Sequence, residues 1–320
     1  MFKEISINDL NKIKIGQVEN VDAATGCTVI ISENEFPAGV DVRGGGPASR
    51  DTQLLNPLMA AEKINAVLLS GGSAFGLGAA NGVMKYLEER DIGFDVGVTK
   101  VPLVVQSDIF DLTVGDTFTR PDEKMGYEAA RCAFEGQEFK DGNYGAGCGA
   151  TVGKIRGMDY CMKTGIGSHA IQIDELQIGA IVVVNALGDI FDSEGRQIAG
   201  LLSEDKKTLG STMDYMKSNI NIRENKFTGN TTIGIVITNA NFTKSQLCKI
   251  SGMAQDGMAR AISPVHTTAD GDTIYSVSTG EVSADMDIVG ALAADVFSEA
   301  IVRAVKSADG AYGFPSARDL

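Results

Sequence analysis

Apolar residues occur along the chain in short runs that are separated by polar or glycine-rich segments. Runs rich in β-branched residues predict strands at 28–32, 65–70, 177–184, 231–238 and 273–278, and the segment 101–112 is predicted to be extended. Helical patterns are expected at about 77–90, 125–135 and 285–306, and once within the polar segment 203–221. Thr243 and Gln246 form a capping-box pattern, which predicts a helix that continues to about residue 262.

The order of these elements indicates a layered α/β fold. After residue 230 the chain reads strand, helix, strand, helix, and both strands are apolar. Strands of this kind are buried when helices pack outside a sheet. The sequence has no internal repeat and no low-complexity linker, so residues 1–320 are expected to form a single intertwined domain.

Composition narrows the possible partners. The formal net charge of -14 argues against nucleic acid and anionic membranes as partners. Tryptophan is absent, and no apolar run reaches membrane-spanning length. The N-terminal residues do not resemble a signal peptide, and the five cysteines are scattered without a C-x-x-C pair. These features favour a cytoplasmic protein and disfavour disulfides or a zinc site.

Histidine is scarce, which limits the catalytic chemistry. The chain has only His169 and His266, and no Gly-x-Ser-x-Gly elbow is present. We interpret both histidines as structural or surface residues. A hydrolase built from this sequence would therefore take its general base from a group other than imidazole.

Several loop residues have both a structural and a chemical interpretation. The turn that contains Gly72 and Ser73 joins a predicted strand to a predicted helix; it is a tight structural turn that could line a substrate cleft, or a phosphate cradle. Lys154 follows a glycine-rich loop and is either a solvated surface lysine or a site residue. Asn185 ends an apolar strand, where it could cap a turn or donate to an oxyanion.

Two further features are ambiguous in the same way. Asp270-Gly271-Asp272 could be a turn, or a carboxylate pair that orients an amine and holds a proton-transfer network. Thr231 stands where a small-residue turn enters an apolar strand. It could be an ordinary strand residue, or the point where the chain cuts itself and leaves Thr231 as a new N-terminus. The polar segment that precedes this junction, up to Lys226, is expected to be an accessible connection.

Taken together, these motifs resemble those of the self-cleaving D-aminopeptidase/β-peptidyl aminopeptidase family, which includes the nylon-oligomer hydrolases. Residues 229–238 are similar to the family's processing site, and residues 264–273 are similar to the carboxylate segment of the nylon-oligomer branch. Other similar segments follow in the family's order, at 43–45, 69–77, 147–154 and 183–185. The resemblance covers roughly residues 12–306.

The resemblance implies a four-layer αββα sandwich that resembles N-terminal nucleophile hydrolases but has a different strand connectivity. It also implies cleavage between Asn230 and Thr231 into chains 1–230 and 231–320 that stay associated. Thr231 matches the nucleophile, and Lys154 and Asn185 match residues near the scissile carbonyl, with Asn185 the expected oxyanion donor. The family relationship suggests a homo-oligomer, a tetramer or larger.

The remaining site residues follow from the same resemblance. Asp270 and Asp272 match the pair that orients the amine of the nucleophile. Phe110 stands where the nylon-oligomer branch carries a tyrosine, so a role for that position and the substrate preference tied to it become open questions. Gly72 and Ser73 are the expected substrate-binding turn.

The implied activity is a self-processing amide hydrolase or aminopeptidase. The α-amino group of Thr231, with a reference pKa of about 7.7–8.0, would accept the proton of its own hydroxyl, so neither a metal nor an organic cofactor is needed. Peptides, β- or D-amino acid amides and ω-amino acid oligomers all remain possible substrates. Two alternatives stay open: an acyltransferase of the ornithine acetyltransferase type, and a non-catalytic module that binds an anionic ligand.

Overall fold

The computed structural model describes residues 2–220 and 229–320. Within these ranges the α-helices are α1 (Ala79–Glu88), α2 (Glu123–Phe134), α3 (Thr212–Ser218), α4 (Lys244–Ala261) and α5 (Met286–Ser307). The first strands are β1 (Phe2–Ile5), β2 (Lys14–Asn20), β3 (Thr25–Val42), β4 (Ala48–Arg50), β5 (Lys63–Ser70), β6 (Phe94–Asp95), β7 (Lys100–Val101) and β8 (Val104–Asp108). The remaining strands are β9 (Thr151–Val152), β10 (Met162–Lys163), β11 (Ile166–Ile173), β12 (Leu176–Asn185), β13 (Asp189–Phe191), β14 (Gln197–Ala199), β15 (Thr231–Ala240), β16 (Ile262–Ser263) and β17 (Thr273–Val282).

Most of the expected elements are present, and three boundaries were wrong. The expected helix at 77–90 begins only at Ala79, because a 3-10 helix occupies Ser73–Gly78. The extended segment 101–112 is interrupted and its main strand ends at Asp108. The strand expected at 28–32 continues to Val42. The capping box of α4 is confirmed at Thr243, while residues 221–228 of the expected connection lie outside the described residues.

Ten strands form one hydrogen-bonded arrangement in the order β1-β11-β12-β15-β17-β3-β5-β8-β4, and β2 pairs with β3. The long strand β3 belongs to both halves of this arrangement. Its first part pairs with β2 and β5, and its last residues, 38–42, pair with β17. β3 therefore connects two sheets that would otherwise be separate.

Three apolar clusters show that these sheets stack into four layers. One cluster packs α4 and α5 on the sheet of β12, β15 and β17, and another packs α1 and α2 on the sheet of β3 and β5. The third lies between the sheets and joins Ile233 and Ile235 of β15 to Val67 and Leu69 of β5. Since successive strand residues face opposite sides, each inner strand supplies two of these clusters. The predicted αββα sandwich is confirmed.

The strand ends that position the site residues lie at one edge of the sandwich. β12 runs antiparallel to β15, and β15 runs parallel to β17, so the end of β12 lies beside the starts of both other strands. From the second sheet, the loop after β8 reaches the same edge, where the Phe110 carbonyl accepts a hydrogen bond from Asn185 Nδ2 at 3.1 Å.

Within the described part of the chain, no helix is long and apolar enough to cross a membrane.

Candidate active site

Thr231 and Asn185 are opposite partners at the end of one sheet. Thr231 is the first residue of β15, and it pairs in register with Asn185, the last residue of β12. Both side chains are buried. Ile233 and Ile235 face the space between the sheets, so the two-residue period of a strand places Thr231 on that side as well.

The peptide bond before Thr231 is held at its carbonyl oxygen. The Asn230 carbonyl accepts a hydrogen bond from the Gly271 N–H at 2.9 Å, and the Thr231 hydroxyl donates to the same oxygen. The Asn230 N–H donates to the Ala269 carbonyl at 3.3 Å. A hydroxyl, a carbonyl and a backbone donor thus meet at one point, which is the arrangement that acyl transfer requires.

Gly229 is fixed against the second sheet. Its φ of +72° lies in the left-handed region, and a Cβ built on it would lie 2.1 Å from Cγ of Phe110. Only glycine fits this position without displacing the ring. The Gly229 carbonyl accepts hydrogen bonds from Lys154 Nζ at 3.2 Å and from Asn185 Nδ2 at 3.4 Å.

Lys154 is buried, so the interpretation of this residue as a solvated surface lysine was wrong. Its Nζ donates to Asn185 Oδ1 at 2.7 Å and to the Asn185 carbonyl at 3.1 Å. Its hydrogen-bond partners among the described residues are neutral oxygens, and burial lowers the pKa of the ammonium to about 8. Lys154 therefore orients the Asn185 amide so that its Nδ2 faces Gly229.

The carboxylates of Asp270 and Asp272 are both buried and flank Gly271. Asp272 Oδ1 accepts the Thr232 N–H at 2.8 Å, one residue beyond the expected nucleophile, and Asp270 Oδ1 accepts the Leu187 N–H at 3.3 Å. Burial, and then the nearby charge of Asp272, raise the pKa of Asp270 to about 6. In the uncut chain Thr231 has no free amine, and Asp272 binds the next amide along the strand.

Sequence reasoning missed three contributors to this site. Gly271 supplies the N–H on the Asn230 carbonyl. His266, interpreted as structural or surface, places Nδ1 at 2.9 Å from Asp272 Oδ2, and Thr267 donates its hydroxyl to Asp270 Oδ2 at 2.5 Å. The available signal was their position within four residues of the Asp270-Gly271-Asp272 motif.

The Gly72–Ser73 turn lies beside the site and is held by a buried carboxylate. The Gly72 N–H donates to Asp111 Oδ1 at 2.7 Å, and the Thr25 hydroxyl donates to Asp111 Oδ2 at 2.6 Å. Burial raises the pKa of Asp111 to about 6. The Ser73 N–H donates to the Ile109 carbonyl at 2.9 Å, which ties the turn to the residue before Phe110. The contacts of Gly72 and Ser73 with the loop around Phe110 are therefore hydrogen bonds donated by their backbone N–H groups.

Across residues 2–220 and 229–320, no group of three or more His, Cys, Asp or Glu side chains could hold a metal ion. The five groups that meet around residue 230 are Thr231, Lys154, Asn185, Asp270 and Asp272, together with the Gly271 amide.

Known proteins with similar sequences align with nearly the whole chain. Residues 6–318 match the family described as Peptidase family S58. An uncharacterized aminopeptidase of Mycobacterium leprae is 34% identical over 97% of this chain and 92% of its own length. A 6-aminohexanoate-oligomer endohydrolase of Kocuria sp. is 30% identical over 93% of this chain and 85% of its own length.

Solved structures show the same fold at lower identity. A beta-aminopeptidase of Burkholderia sp. superposes with a TM-score of 0.69 at 17% identity, and covers 95% of this chain and 86% of its own. The L-aminopeptidase D-Ala-esterase/amidase of Ochrobactrum anthropi, described as a variant of the Ntn hydrolase fold, gives 0.66 at 18% identity and the same coverage. The family resemblance drawn from the motifs is thus confirmed: the chain belongs to peptidase family S58 and is a hydrolase of peptide or amide bonds.

Proposed function

We propose that the chain cuts itself between Asn230 and Thr231 and then uses Thr231 as an N-terminal nucleophile. The observation that carries this proposal is the arrangement around the Asn230 carbonyl, which receives the Thr231 hydroxyl on one side and the Gly271 N–H at 2.9 Å. A backbone N–H at a carbonyl oxygen stabilises the negative charge that develops when the carbonyl is attacked.

Self-cleavage proceeds through an ester. The Thr231 oxygen bonds to the Asn230 carbonyl carbon while its proton passes to the Thr231 nitrogen, and the C–N bond breaks. Water then attacks the Asn230–Thr231 ester, which yields a carboxylate on Asn230 and restores the hydroxyl next to a new amine. The Gly229 carbonyl, held by Lys154 and Asn185, keeps the scissile peptide in place during these steps.

Turnover of a substrate repeats the same chemistry with the new amine as the base. An α-amino group with a pKa of about 7.7–8.0 can accept the proton of the Thr231 hydroxyl near neutral pH. In the cut enzyme the oxyanion donors are the Gly271 N–H and Asn185 Nδ2, which in the uncut chain binds the Gly229 carbonyl at 3.4 Å. Loss of one such donor costs on the order of 10²–10³ in rate. Asp272, already 2.8 Å from the Thr232 N–H, orients the amine, and Asp270 beside it takes part in proton transfer.

The substrates we propose are short peptides, amides of β- or D-amino acids and oligomers of ω-amino acids. The similarity to an aminopeptidase and to a 6-aminohexanoate-oligomer endohydrolase supports this range. We place the enzyme in the cytoplasm, as a homo-oligomer of cut protomers that binds neither nucleic acid nor membrane. The net charge of -14 and the scattered cysteines support that assignment.

Intact-mass spectrometry of the purified protein tests the proposal. The wild type is expected to give two fragments that meet at Asn230/Thr231, and Thr231→Ala a single chain of full mass. The wild type is then assayed on L-alanine, D-alanine and β-alanine p-nitroanilides and on the trimer of 6-aminohexanoate, with Thr231→Ala as the blank. A wild-type chain that remains whole after prolonged incubation contradicts the mechanism.

A further inference from the structure

Two consecutive residues, His266 and Thr267, each donate two hydrogen bonds to one of the two site carboxylates. His266 offers its backbone N–H at 3.0 Å and its Nδ1 at 2.9 Å to Asp272 Oδ2. Thr267 offers its backbone N–H at 3.0 Å and its hydroxyl at 2.5 Å to Asp270 Oδ2. Each carboxylate therefore has one oxygen fixed by a backbone donor and a side-chain donor of the same residue.

The backbone of His266 is shaped for this contact. Its φ of +57° lies in the left-handed region, which a histidine adopts more readily than most residues other than glycine. In this conformation the N–H and the ring reach one carboxylate oxygen together. An ionised carboxylate only accepts hydrogen bonds, so the tautomer consistent with the contact carries its proton on Nδ1. The other ring nitrogen, Nε2, is buried without a hydrogen-bond partner among the described residues.

The second oxygen of each carboxylate accepts a backbone N–H, one at the start of β15 and one in the turn after β12. Asp272 Oδ1 binds the Thr232 N–H at 2.8 Å, and Asp270 Oδ1 binds the Leu187 N–H at 3.3 Å. Gly271 lies between the two anchored carboxylates, and a Cβ built on it would lie 2.7 Å from the Thr231 hydroxyl oxygen. Its N–H therefore has little freedom to leave the Asn230 carbonyl.

We propose that His266 and Thr267 are positioning residues of the cleavage reaction, which act through Asp272 and Asp270 to aim the Gly271 N–H at the reacting carbonyl. This inference rests on the proposed self-cleavage at Asn230. The residues touch neither the nucleophile nor the carbonyl, so their effect is on geometry. A displacement of about 1 Å at a reacting centre costs up to about 100-fold in rate.

Paired substitutions separate the donor from the backbone conformation. His266→Asn keeps a side-chain donor, His266→Gly removes it, and both residues tolerate a positive φ. Thr267→Ser keeps the hydroxyl, whereas Thr267→Val removes it at nearly constant shape. His169→Asn, which removes the other histidine at a distance from the site, is the matched control.

The readouts are the first-order rate of self-cleavage, followed by intact mass, and then kcat and KM of the cut enzyme on its best p-nitroanilide. His266→Gly and Thr267→Val are expected to slow cleavage at least tenfold and to lower kcat with KM within about twofold. His266→Asn, Thr267→Ser and the control His169→Asn are expected to stay within about threefold of wild type. Thermal melting identifies the variants that are folded.

The outcomes are distinguishable. A wild type that never cleaves defeats the proposed function itself. If the wild type cleaves and folded His266→Gly and Thr267→Val variants cleave equally fast, the positioning role is refuted. It is also refuted if His266→Asn and Thr267→Ser cleave as slowly as His266→Gly and Thr267→Val, since the side-chain donors would then not matter. Should either position fail to yield folded variants, the pair at the other position decides.

Discussion

Replacing Gly229 with alanine tests how tightly the scissile peptide is held. The substitution places a methyl group where 2.1 Å separates the built Cβ from Cγ of Phe110, at a residue whose φ is +72°. The ring and the backbone cannot both keep their positions. We expect the Asn230 carbonyl to move away from the Gly271 N–H, which lies 2.9 Å from it in the native arrangement.

The size of the effect follows from two costs. A left-handed conformation costs an alanine roughly 1–2 kcal/mol. Overpacking by one methyl group costs about 1–3 kcal/mol. The native placement of Gly229→Ala is therefore destabilised by about 2–5 kcal/mol, and a factor of ten in a population corresponds to about 1.4 kcal/mol. Self-cleavage is expected to slow by roughly 30-fold or more, because the reactive arrangement becomes the minor one.

A second substitution relieves part of this penalty. Phe110→Ala removes the ring atoms that the methyl group would approach to 2.1 and 2.2 Å, keeps the Phe110 Cβ at 2.6 Å, and leaves the cost of the positive φ unchanged. The double variant should therefore cleave at least several-fold faster than Gly229→Ala alone, and remain slower than Phe110→Ala. A non-additive pair of this kind is expected for residues in direct contact.

The assay is intact-mass spectrometry of samples taken at intervals after purification, with thermal melting as the check on folding. A Gly229→Ala chain that cleaves within about threefold of the wild-type rate would show that the methyl group does not displace the scissile peptide. If Phe110→Ala does not accelerate the Gly229→Ala chain, the ring is not the obstacle.

Three further predictions follow from other contacts. Lys154→Met should slow self-cleavage at least tenfold by intact mass, because both Gly229 and the Asn185 amide lose the ammonium that holds them. The raised pKa of Asp111, about 6 against a reference of 3.8, means that the folded state retains a proton between these values. The contribution of Asp111 to stability should therefore fall by about 3 kcal/mol as pH rises from about 4 to about 6, and urea titrations of Asp111→Asn should show a smaller loss over this range than those of the wild type. Thr243→Ala should cost about 1 kcal/mol by urea titration and leave self-cleavage unchanged, because it removes only the cap of α4.

The central strands were predictable because burial on both faces leaves a continuous apolar run, as in β12 and β15. β11 was not predicted, since Gly167, Ser168 and His169 interrupt its apolar residues. β2 was missed for the same reason, with Gly16 and Gln17 in its centre. Gly16 is explained only by tertiary structure: a Cβ there would lie 2.0 Å from the Ala129 carbonyl in α2.

The site was also only partly predictable from the sequence. Thr231 and the aspartate pair lie in recognisable motifs that are close in sequence. The pairing of Thr231 with Asn185 depends on the register between two strands that are distant in sequence. The burial of Lys154 was equally hidden, because its partners come from segments 31 and 75 residues away. Such contacts between distant segments cannot be predicted from the local sequence, because they form only when the sheets stack.

The position of β15 and β17 in the sheet order has a consequence for how the protein unfolds. Both strands follow residue 230 in the chain, yet β12 flanks one side of the pair and β3 the other, and both of those strands precede residue 230. After a cut at Asn230, unfolding releases two separate polypeptides instead of one. The melting temperature of the cut protein should then rise more steeply with protein concentration than that of uncut Thr231→Ala, because each cut protomer of the proposed homo-oligomer releases one more polypeptide on unfolding.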